Sequence, residues 1–497
     1  MLGEKPLRTE KTKPLKTEKT KRSEQRKRNF QNRMKTMNKT IFKSIVMLLA
    51  AMMMTGCDSF LDITPTGKVI AKTGKEYRAL LTYEYKNFPE DRGLATLRSD
   101  EMVLGKSTTK AEDYDSYFDI WAWNDLSQQS TTVSFGWRRY YHAIYIANYI
   151  IENKDKITEA TTDEINQLVG EAYMMRAYCH FLLVNLFAEP YNHCDPATTR
   201  GVPLSLKADV NAVLSCSSVE QVYQQVLDDV AEAKKHLTVE QWDEGYTYRF
   251  NTVSADALMA RVCLYKGDWQ NALVAAQAVI EKHGELEDLN VSKVMPNYYK
   301  SVESIVALEQ VMTSSYVRIG APNKALIDKY RTGDKRKSLF YKAITASAYS
   351  LQKYGDKGND GYRCTFRSGE AYLIAAEAAA ELAADNAAAG DSKLSEARTY
   401  LKELMAKRYA SAKYNQYAAQ LDDMQKADLI KAILNERAYE LAFEGHRWFD
   451  LRRTTRPELT KTYDDQTYTL SENDSRYTMR FPTEAVEANP NIEKWGN

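Results

Sequence analysis

The densest cluster of charged residues in this sequence lies near the C-terminus, between residues 434 and 453. Its carboxylates Glu436, Glu440 and Glu444 are spaced by four residues, which would place them on one face of a helix. Such a group could perform acid–base chemistry, or neighbouring cations could hold it ionised. The same run supplies four candidate cations: Arg437, Arg447, Arg452 and Arg453. Because each acid has an arginine nearby, we predict a network of ion pairs that fixes the last helix to the rest of the fold, and no catalytic residue.

Two tryptophans, Trp121 and Trp123, are candidates for ligand binding by aromatic stacking. A flat aromatic ring covers the apolar face of a ligand without needing a deep pocket. Residues two apart in an extended segment point the same way, so the two indoles would form one exposed stacking platform. The alternative is that each ring packs the surrounding loop onto the helices. We favour packing for each ring and keep both as candidate binding residues.

The histidines and cysteines do not indicate a metal site. His193, Cys194 and Asp195 are adjacent, but three consecutive side chains cannot comfortably face one ion, so we interpret them as a structural loop. The cysteines other than Cys57 are odd in number and match no zinc or redox spacing: Cys179, Cys194, Cys216, Cys263 and Cys364. We therefore assign neither a metal nor a cofactor.

The formal net charge of +1 conceals an uneven distribution of charge along the chain. Residues 1–33 carry 12 Lys and Arg against 4 Glu, whereas the chain from residue 57 onward carries 53 Lys and Arg against 63 Asp and Glu. An acidic body does not attract phosphate backbones, so we expect no nucleic-acid partner. Only 21 Gly and 12 Pro in 497 residues also disfavour a collagen-like or many-turned β architecture.

Residues 37–56 have the pattern of an export signal. Lys39 and Lys43 precede ten apolar residues, 45–54, which is too short a run to cross the ~30 Å hydrocarbon layer as a helix. The run ends in Thr55-Gly56-Cys57, which resembles a bacterial lipobox, whose cysteine is lipidated and becomes the new N-terminus. We predict a lipoprotein signal peptide over 37–56 and lipidation of Cys57. The alternative is an ordinary cleaved signal with an incidental cysteine.

Residues 1–36 precede that signal and are rich in Lys, Thr and Glu without hydrophobic periodicity. Such a segment cannot form a core, so we predict a basic disordered extension. It is either a basic arm or the product of a start codon placed too early, with Met34 or Met37 as the true initiator. We favour the second interpretation.

From about residue 137 the apolar residues recur with a helical period, as in the stripe over 219–237. A helix over 254–266 is followed by a break at Gly267-Asp268 and by a second helix that opens at Trp269 and carries small residues. Helix, glycine turn and a closely approaching second helix are typical of tetratricopeptide repeats. A similar pair of helices is indicated over residues 370–408. We predict an all-α scaffold of irregular, tetratricopeptide-like helix pairs.

Two regions depart from this rhythm, at about 85–135 and 284–365. The first shows no clear helical pattern and collects aromatic residues among polar ones. The second combines a possible strand over 304–308 with loops rich in Tyr, Gly and Asn. Long insertions of this kind in a helical body are usually functional, so we expect them to carry the binding face.

The C-terminal run also resembles the signature of the SusD/RagB family of outer-membrane lipoproteins. The matching positions are Glu436, Arg437, Glu440, Leu441, Glu444, Gly445, Arg447, Asp450, Leu451 and Arg453. Further blocks resemble the family in the same order, at 57–65, 137–148, 171–191, 367–377 and 481–490. The resemblance covers essentially the whole chain after residue 56, so residues 57–497 are interpreted as one SusD-like helical domain.

The resemblance implies a surface-exposed binding protein that covers a TonB-dependent outer-membrane transporter of the SusC type. Most members of the family bind oligosaccharides and some capture peptides. The expected partners are therefore a SusC-like transporter and a glycan, with a peptide as the alternative ligand. The family's members are not catalysts, so a surface glycoside hydrolase is the less favoured possibility.

The resemblance also suggests binding residues. Trp121 and Trp123 are similar to a Trp-x-Trp of the starch-binding founder of the family, in which the second Trp stacks on glucose. Asn124 lies near, but not at, the position of a sugar-binding asparagine, and that offset puts starch itself in doubt. Tyr316 and Arg318, in the loop around 310–330, are further candidates.

Overall fold

The structure is a computed structural model, and one compact unit begins at Ala71. The residues that it describes are 71–104, 111–355, 360–489 and 491–492. Three features predicted from sequence lie outside these residues: the extension 1–36, the signal 37–56 and the candidate lipidation site Cys57.

Helices make up most of the described chain. In order they are α1 (Gly74–Lys86), α2 (Asp91–Thr96), α3 (Ala111–Trp121), α4 (Trp137–Asn153), α5 (Thr162–Phe187), α6 (Val219–His236), α7 (Thr252–Lys266), α8 (Trp269–His283), α9 (Ser314–Ile319), α10 (Lys324–Ile327), α11 (Lys335–Phe340), α12 (Ser368–Leu382), α13 (Ser392–Ala406), α14 (Ser411–Asp422), α15 (Lys426–Glu440), α16 (Arg447–Arg453) and α17 (Thr483–Ala488). Among them, no helix is both long enough and apolar enough to span a bilayer.

The strands are short and pair antiparallel, two by two. They are β1 (Met102–Leu104) with β5 (Gly320–Pro322), β2 (Arg200–Pro203) with β3 (Cys216–Ser218), β4 (Ser304–Val306) with β8 (Phe366–Arg367), β6 (Tyr341–Ala343) with β7 (Tyr349–Leu351), and β9 (Leu459–Tyr463) with β10 (Gln466–Leu470). They join loops to one another and to the helical body, and the predicted all-α fold class is confirmed.

The long helices pack as neighbouring pairs. Helix α5 packs between α4 and α6, and α7 packs against α8. Helix α12 continues the row, because it packs on α8 on one side and on α13 and α15 on the other. This arrangement confirms the predicted scaffold of irregular helix pairs.

The turn between α7 and α8 shows how local sequence sets a helix pair. Gly267 ends α7 in the left-handed conformation, with φ of +76°, which glycine adopts without strain. The side chain of Asp268 then accepts a hydrogen bond from the backbone N–H of Asn271 and caps α8. Ala272 and Ala276 are fully buried in α8, so the two helices approach closely.

The expectation of no helix in residues 85–135 is wrong, because α2 and α3 lie there. In α3 the aromatic residues Tyr114, Phe118 and Trp121 follow the helical spacing of four and three. The helix is short and contains several acidic residues, so its hydrophobic period was hard to recognise in the sequence. Residues 284–365 do contain a strand at the predicted place, β4, among loops and short helices.

Candidate functional site

The glutamates of the C-terminal charged run are buried, and their partners come from distant parts of the chain. Glu440 is fully buried and receives hydrogen bonds from Arg336 at 2.9 Å, Arg367 at 2.8 Å and Arg408 at 2.8 Å. Glu444 pairs with Arg367 and with the fully buried Lys353. Helix α15 ends at Glu440, so Glu444 lies beyond it rather than on the predicted common helix face.

The four arginines predicted to pair with these glutamates have other partners, which corrects the predicted pairing. Arg437 and Arg453 both pair with Asp450, and Arg447 pairs with Asp100. Arg452 donates to backbone carbonyls, including that of Tyr477. These arginines lie in α15 and α16, where the helix geometry directs them away from Glu436, Glu440 and Glu444.

Two neighbouring glutamates of this network have opposite pKa shifts. Burial would raise the pKa of Glu440, but the guanidinium groups of Arg408 and Arg367 outweigh it and hold that pKa well below its ordinary value. For Glu436 burial dominates, and the pKa is raised although Arg336 partly offsets the effect.

Gly445, which follows Glu444, has a backbone φ of +72°, in the left-handed region that glycine adopts without strain. A Cβ at this position would lie 2.7 Å from the Cβ of Arg92, so the close approach of the chain also requires glycine.

Trp121 and Trp123 lie in the interior, so the candidate exposed stacking platform is wrong and the favoured alternative, packing, is confirmed. Trp121 is the last residue of α3, is 0% exposed and donates its indole N–H to the carbonyl of Met102 at 3.1 Å. Trp123 is 1% exposed and donates to the carbonyl of Arg98 at 2.9 Å. The segment is not extended, because α3 runs up to the pair, and neither ring presents a face to a ligand.

The other three predicted binding residues are held by contacts within the protein. The Asn124 amide donates to Asp119 at 2.9 Å. Tyr316 is 6% exposed and lies edge-on to Tyr117. Arg318 is exposed and pairs with an aspartate, Asp113, at 3.1 Å.

A cavity of about 670 Å³ lies elsewhere on the molecule and is lined by aromatic rings. Three half-buried tyrosines, Tyr248, Tyr298 and Tyr299, form its walls, together with the buried Tyr85 of α1 and the buried Leu308. We call it the tyrosine cavity. None of the binding residues predicted from sequence lines it.

The walls of the tyrosine cavity are tied together by backbone hydrogen bonds. Ala307 donates to the carbonyl of Thr247 at 2.9 Å, and Tyr299 donates to the carbonyl of Gly361 at 3.0 Å. The rings of Tyr85 and Tyr248 pack edge to face with centroids 5.4 Å apart. The site is therefore formed before any ligand arrives, which lowers the entropic cost of binding.

Among the residues that the structure describes, two charged ones line the tyrosine cavity: Lys86, at the end of α1, and Arg363. Arg363 donates a hydrogen bond to the carbonyl of Leu308 at 3.0 Å. Sequence reasoning missed all of these residues. The available signal was Tyr298-Tyr299-Lys300 within the tyrosine-rich region 284–365, but nothing local connects it with α1.

The described residues contain no group of three or more His, Cys, Asp or Glu side chains that could hold a metal ion. Cys179 in α5 and Cys263 in α7 are buried. Cys194 is half-buried and lies with its Sγ 3.8 Å from the carbonyl oxygen of Tyr191.

Comparisons with known proteins match nearly the whole described chain. One family model, described as starch-binding and associating with the outer membrane, matches residues 68–264, and the SusD family model matches 260–494. A SusD-like protein of Formosa agariphila is 27% identical over 255 residues, which are 49% of this chain and 46% of that protein. The chain thus spans about half the length of that relative.

Solved structures share the fold. A SusD superfamily protein from Bacteroides fragilis has a TM-score of 0.70 at 22% identity, covering 85% of this chain and 99% of that one. Surface glycan-binding protein A from Bacteroides uniformis has a TM-score of 0.63 at 16% identity, covering 85% and 99%. With matching models over residues 68–494, one of them described as starch-binding and associating with the outer membrane, the chain belongs to the SusD/RagB family.

Proposed function

We propose that this protein captures oligosaccharides in the tyrosine cavity at the cell surface and delivers them to a SusC-like TonB-dependent outer-membrane transporter. Family membership supports the delivery step, and the fold is shared with a protein named surface glycan-binding protein A. The observation that carries the proposal is the preformed cavity with walls of Tyr248, Tyr298 and Tyr299.

The chemistry of this cavity suits a sugar. Tyrosine rings cover the C–H faces of a pyranose, while their hydroxyls remain available to the sugar's own hydroxyls. A volume of about 670 Å³ falls in the range of ligand sites and accommodates a short oligosaccharide. The proposed activity is binding without turnover, and membership of the SusD family supports it.

Replacing Tyr298 with Ala is expected to weaken glycan binding at least about tenfold without changing the thermal unfolding midpoint. The half-buried ring contributes contact area to the ligand and little to the core. Isothermal titration against a panel of polysaccharides and peptides measures the effect.

Tyr83→Ala is the matched control, because Tyr83 is 52% exposed and does not line the cavity. Equal glycan affinity for Tyr298→Ala and the unmodified protein would show that the tyrosine cavity is not the glycan-binding site. Binding of peptides and of no glycan would redirect the proposal to peptide capture.

The attachment to the membrane is proposed to be a lipid on Cys57. The residue follows the apolar run 45–54 in a lipobox-like context, and each buried acyl methylene contributes about 0.8 kcal/mol. Cys57→Ser is expected to move the protein from the membrane to the soluble fraction and to abolish labelling by radioactive palmitate. Cys194→Ser is the control, since that half-buried thiol lies in the folded body. A Cys57→Ser protein that stays with the membrane would contradict the anchor.

A further inference from the structure

A second cavity, of about 500 Å³, shares two of its walls with the tyrosine cavity. The half-buried Trp242 lines it, so we call it the tryptophan cavity. Helix α1 lines both cavities, and so does the segment 242–249. Because they have two walls in common, the two cavities are neighbours on the surface.

One side of α1 runs from the tryptophan cavity to the tyrosine cavity. Lys75 and Arg78 line the first, whereas Thr82 and Lys86 line the second. Steps of three and four residues keep these positions on the same side of the helix. From Lys75 to Lys86 that side is about 17 Å long, at ~1.5 Å per residue. Ala79, between them on this side, is exposed and small, so it offers little obstruction to a ligand that lies along the helix.

Buried hydrogen bonds hold the linings of the two cavities together. Glu171 is fully buried and accepts a hydrogen bond from the hydroxyl of Tyr85, in the tyrosine cavity, at 2.9 Å. The same carboxylate accepts from Arg78 at 2.8 Å and from Arg249 at 2.7 Å, and both arginines line the tryptophan cavity. The two cavities therefore keep a fixed relative position, which lowers the entropic cost of binding one ligand across both.

Trp242 is fixed in place without being buried. The guanidinium carbon of Arg249 lies 3.6 Å from the centroid of the indole and covers one face of the ring. The indole N–H donates to the carbonyl of Phe250 at 3.1 Å, and the backbone N–H of Phe250 donates to the hydroxyl of Tyr85 at 3.3 Å. Unlike the two interior tryptophans at the end of α3, this half-buried ring lines a cavity and is available to stack on a sugar.

We infer that the ligand is an oligosaccharide long enough to occupy both cavities, with one sugar against the tyrosines and a more distant sugar of the same chain on Trp242. This inference rests on the proposed function and specifies the length of its ligand. The second contact adds buried apolar area, and it forms within a ligand that is already bound. Trp242 is therefore a residue that favours long chains over short ones.

The test compares graded series of neutral oligosaccharides by isothermal titration: maltose to maltohexaose, laminaribiose to laminarihexaose and xylobiose to xylohexaose. In a series that binds, the hexasaccharide is expected to bind at least about tenfold more tightly than the disaccharide. Trp242→Ala is expected to bring the affinity of the hexasaccharide down to near that of the disaccharide.

Two further variants separate contact with the ligand from loss of structure. Trp242→Phe keeps an aromatic ring and loses the hydrogen bond to Phe250, and it should retain most of the gain with chain length. Trp269→Ala is the matched control, since it removes another half-buried tryptophan, at the start of α8, that is not among the described lining residues of either cavity. It should leave the gain intact.

Three results would overturn the inference. Tyr298-dependent binding with equal gains in the unmodified protein and in Trp242→Ala would refute the second contact and leave the proposed function standing. Equal losses of the gain in Trp242→Ala and Trp269→Ala would assign the effect to a general loss of stability. Failure of every glycan to bind would refute the proposed function and the inference together.

Discussion

Glu440→Gln is expected to lower the free energy of unfolding by about 3–5 kcal/mol, the cost of breaking a buried ion pair on one side. Glu440 is fully buried and binds the guanidinium groups of Arg336, Arg367 and Arg408. Its lowered pKa shows that the surroundings favour the charged form, so a neutral amide leaves three buried cations undercompensated. Equilibrium unfolding in guanidinium chloride at pH 7 measures the loss.

Glu436→Gln is the matched control one helical turn earlier. Glu436 is also buried and bonds to Arg336 and Tyr409, but burial raises its pKa, so a neutral group is less costly at this position. We expect a clearly smaller loss of stability than for Glu440→Gln. Equal losses in the two variants would show that the network does not distinguish the two sites electrostatically.

Trp123→Ala is the second large effect, and it is expected to cost about 3–5 kcal/mol of stability. The indole is 1% exposed and donates to the carbonyl of Arg98. The Nζ of Lys461 lies 4.0 Å from its ring centroid, so truncation also removes an aromatic contact from a buried lysine. Differential scanning calorimetry should show a markedly lower unfolding midpoint.

Trp123→Ala and Tyr298→Ala together separate packing from ligand binding. At a temperature where Trp123→Ala is still folded it should bind glycan normally, whereas Tyr298→Ala should lose binding and keep its stability. The reverse pattern, with binding lost and stability kept in Trp123→Ala, would return the ligand to the position that the sequence suggested. It would also show that this indole reaches the surface in solution.

Sequence reasoning predicted the helical scaffold correctly but not which aromatic residues, such as Trp123 and Tyr298, are packed and which line a cavity. The scaffold was predictable, since helices such as α6 and α8 follow a hydrophobic period of 3.6 residues that a local window displays. The turn at Gly267 was predictable for the same reason, because the residue types that end and cap a helix act within a few positions. An aromatic residue in a polar region, by contrast, has no local mark that separates a packed ring from an exposed one.

The amino-acid sequence by itself determined the helical scaffold, the family and the glutamate spacing of the C-terminal motif. Only the tertiary structure decided which cations meet those glutamates, because Arg336 and Arg367 lie about 70 to 100 residues before Glu440. It likewise assembled the tyrosine cavity from α1 and four other segments of the chain. Periodicity and capping are properties of neighbouring residues, whereas a binding site is made by contacts between distant ones, which exist only once the chain has folded.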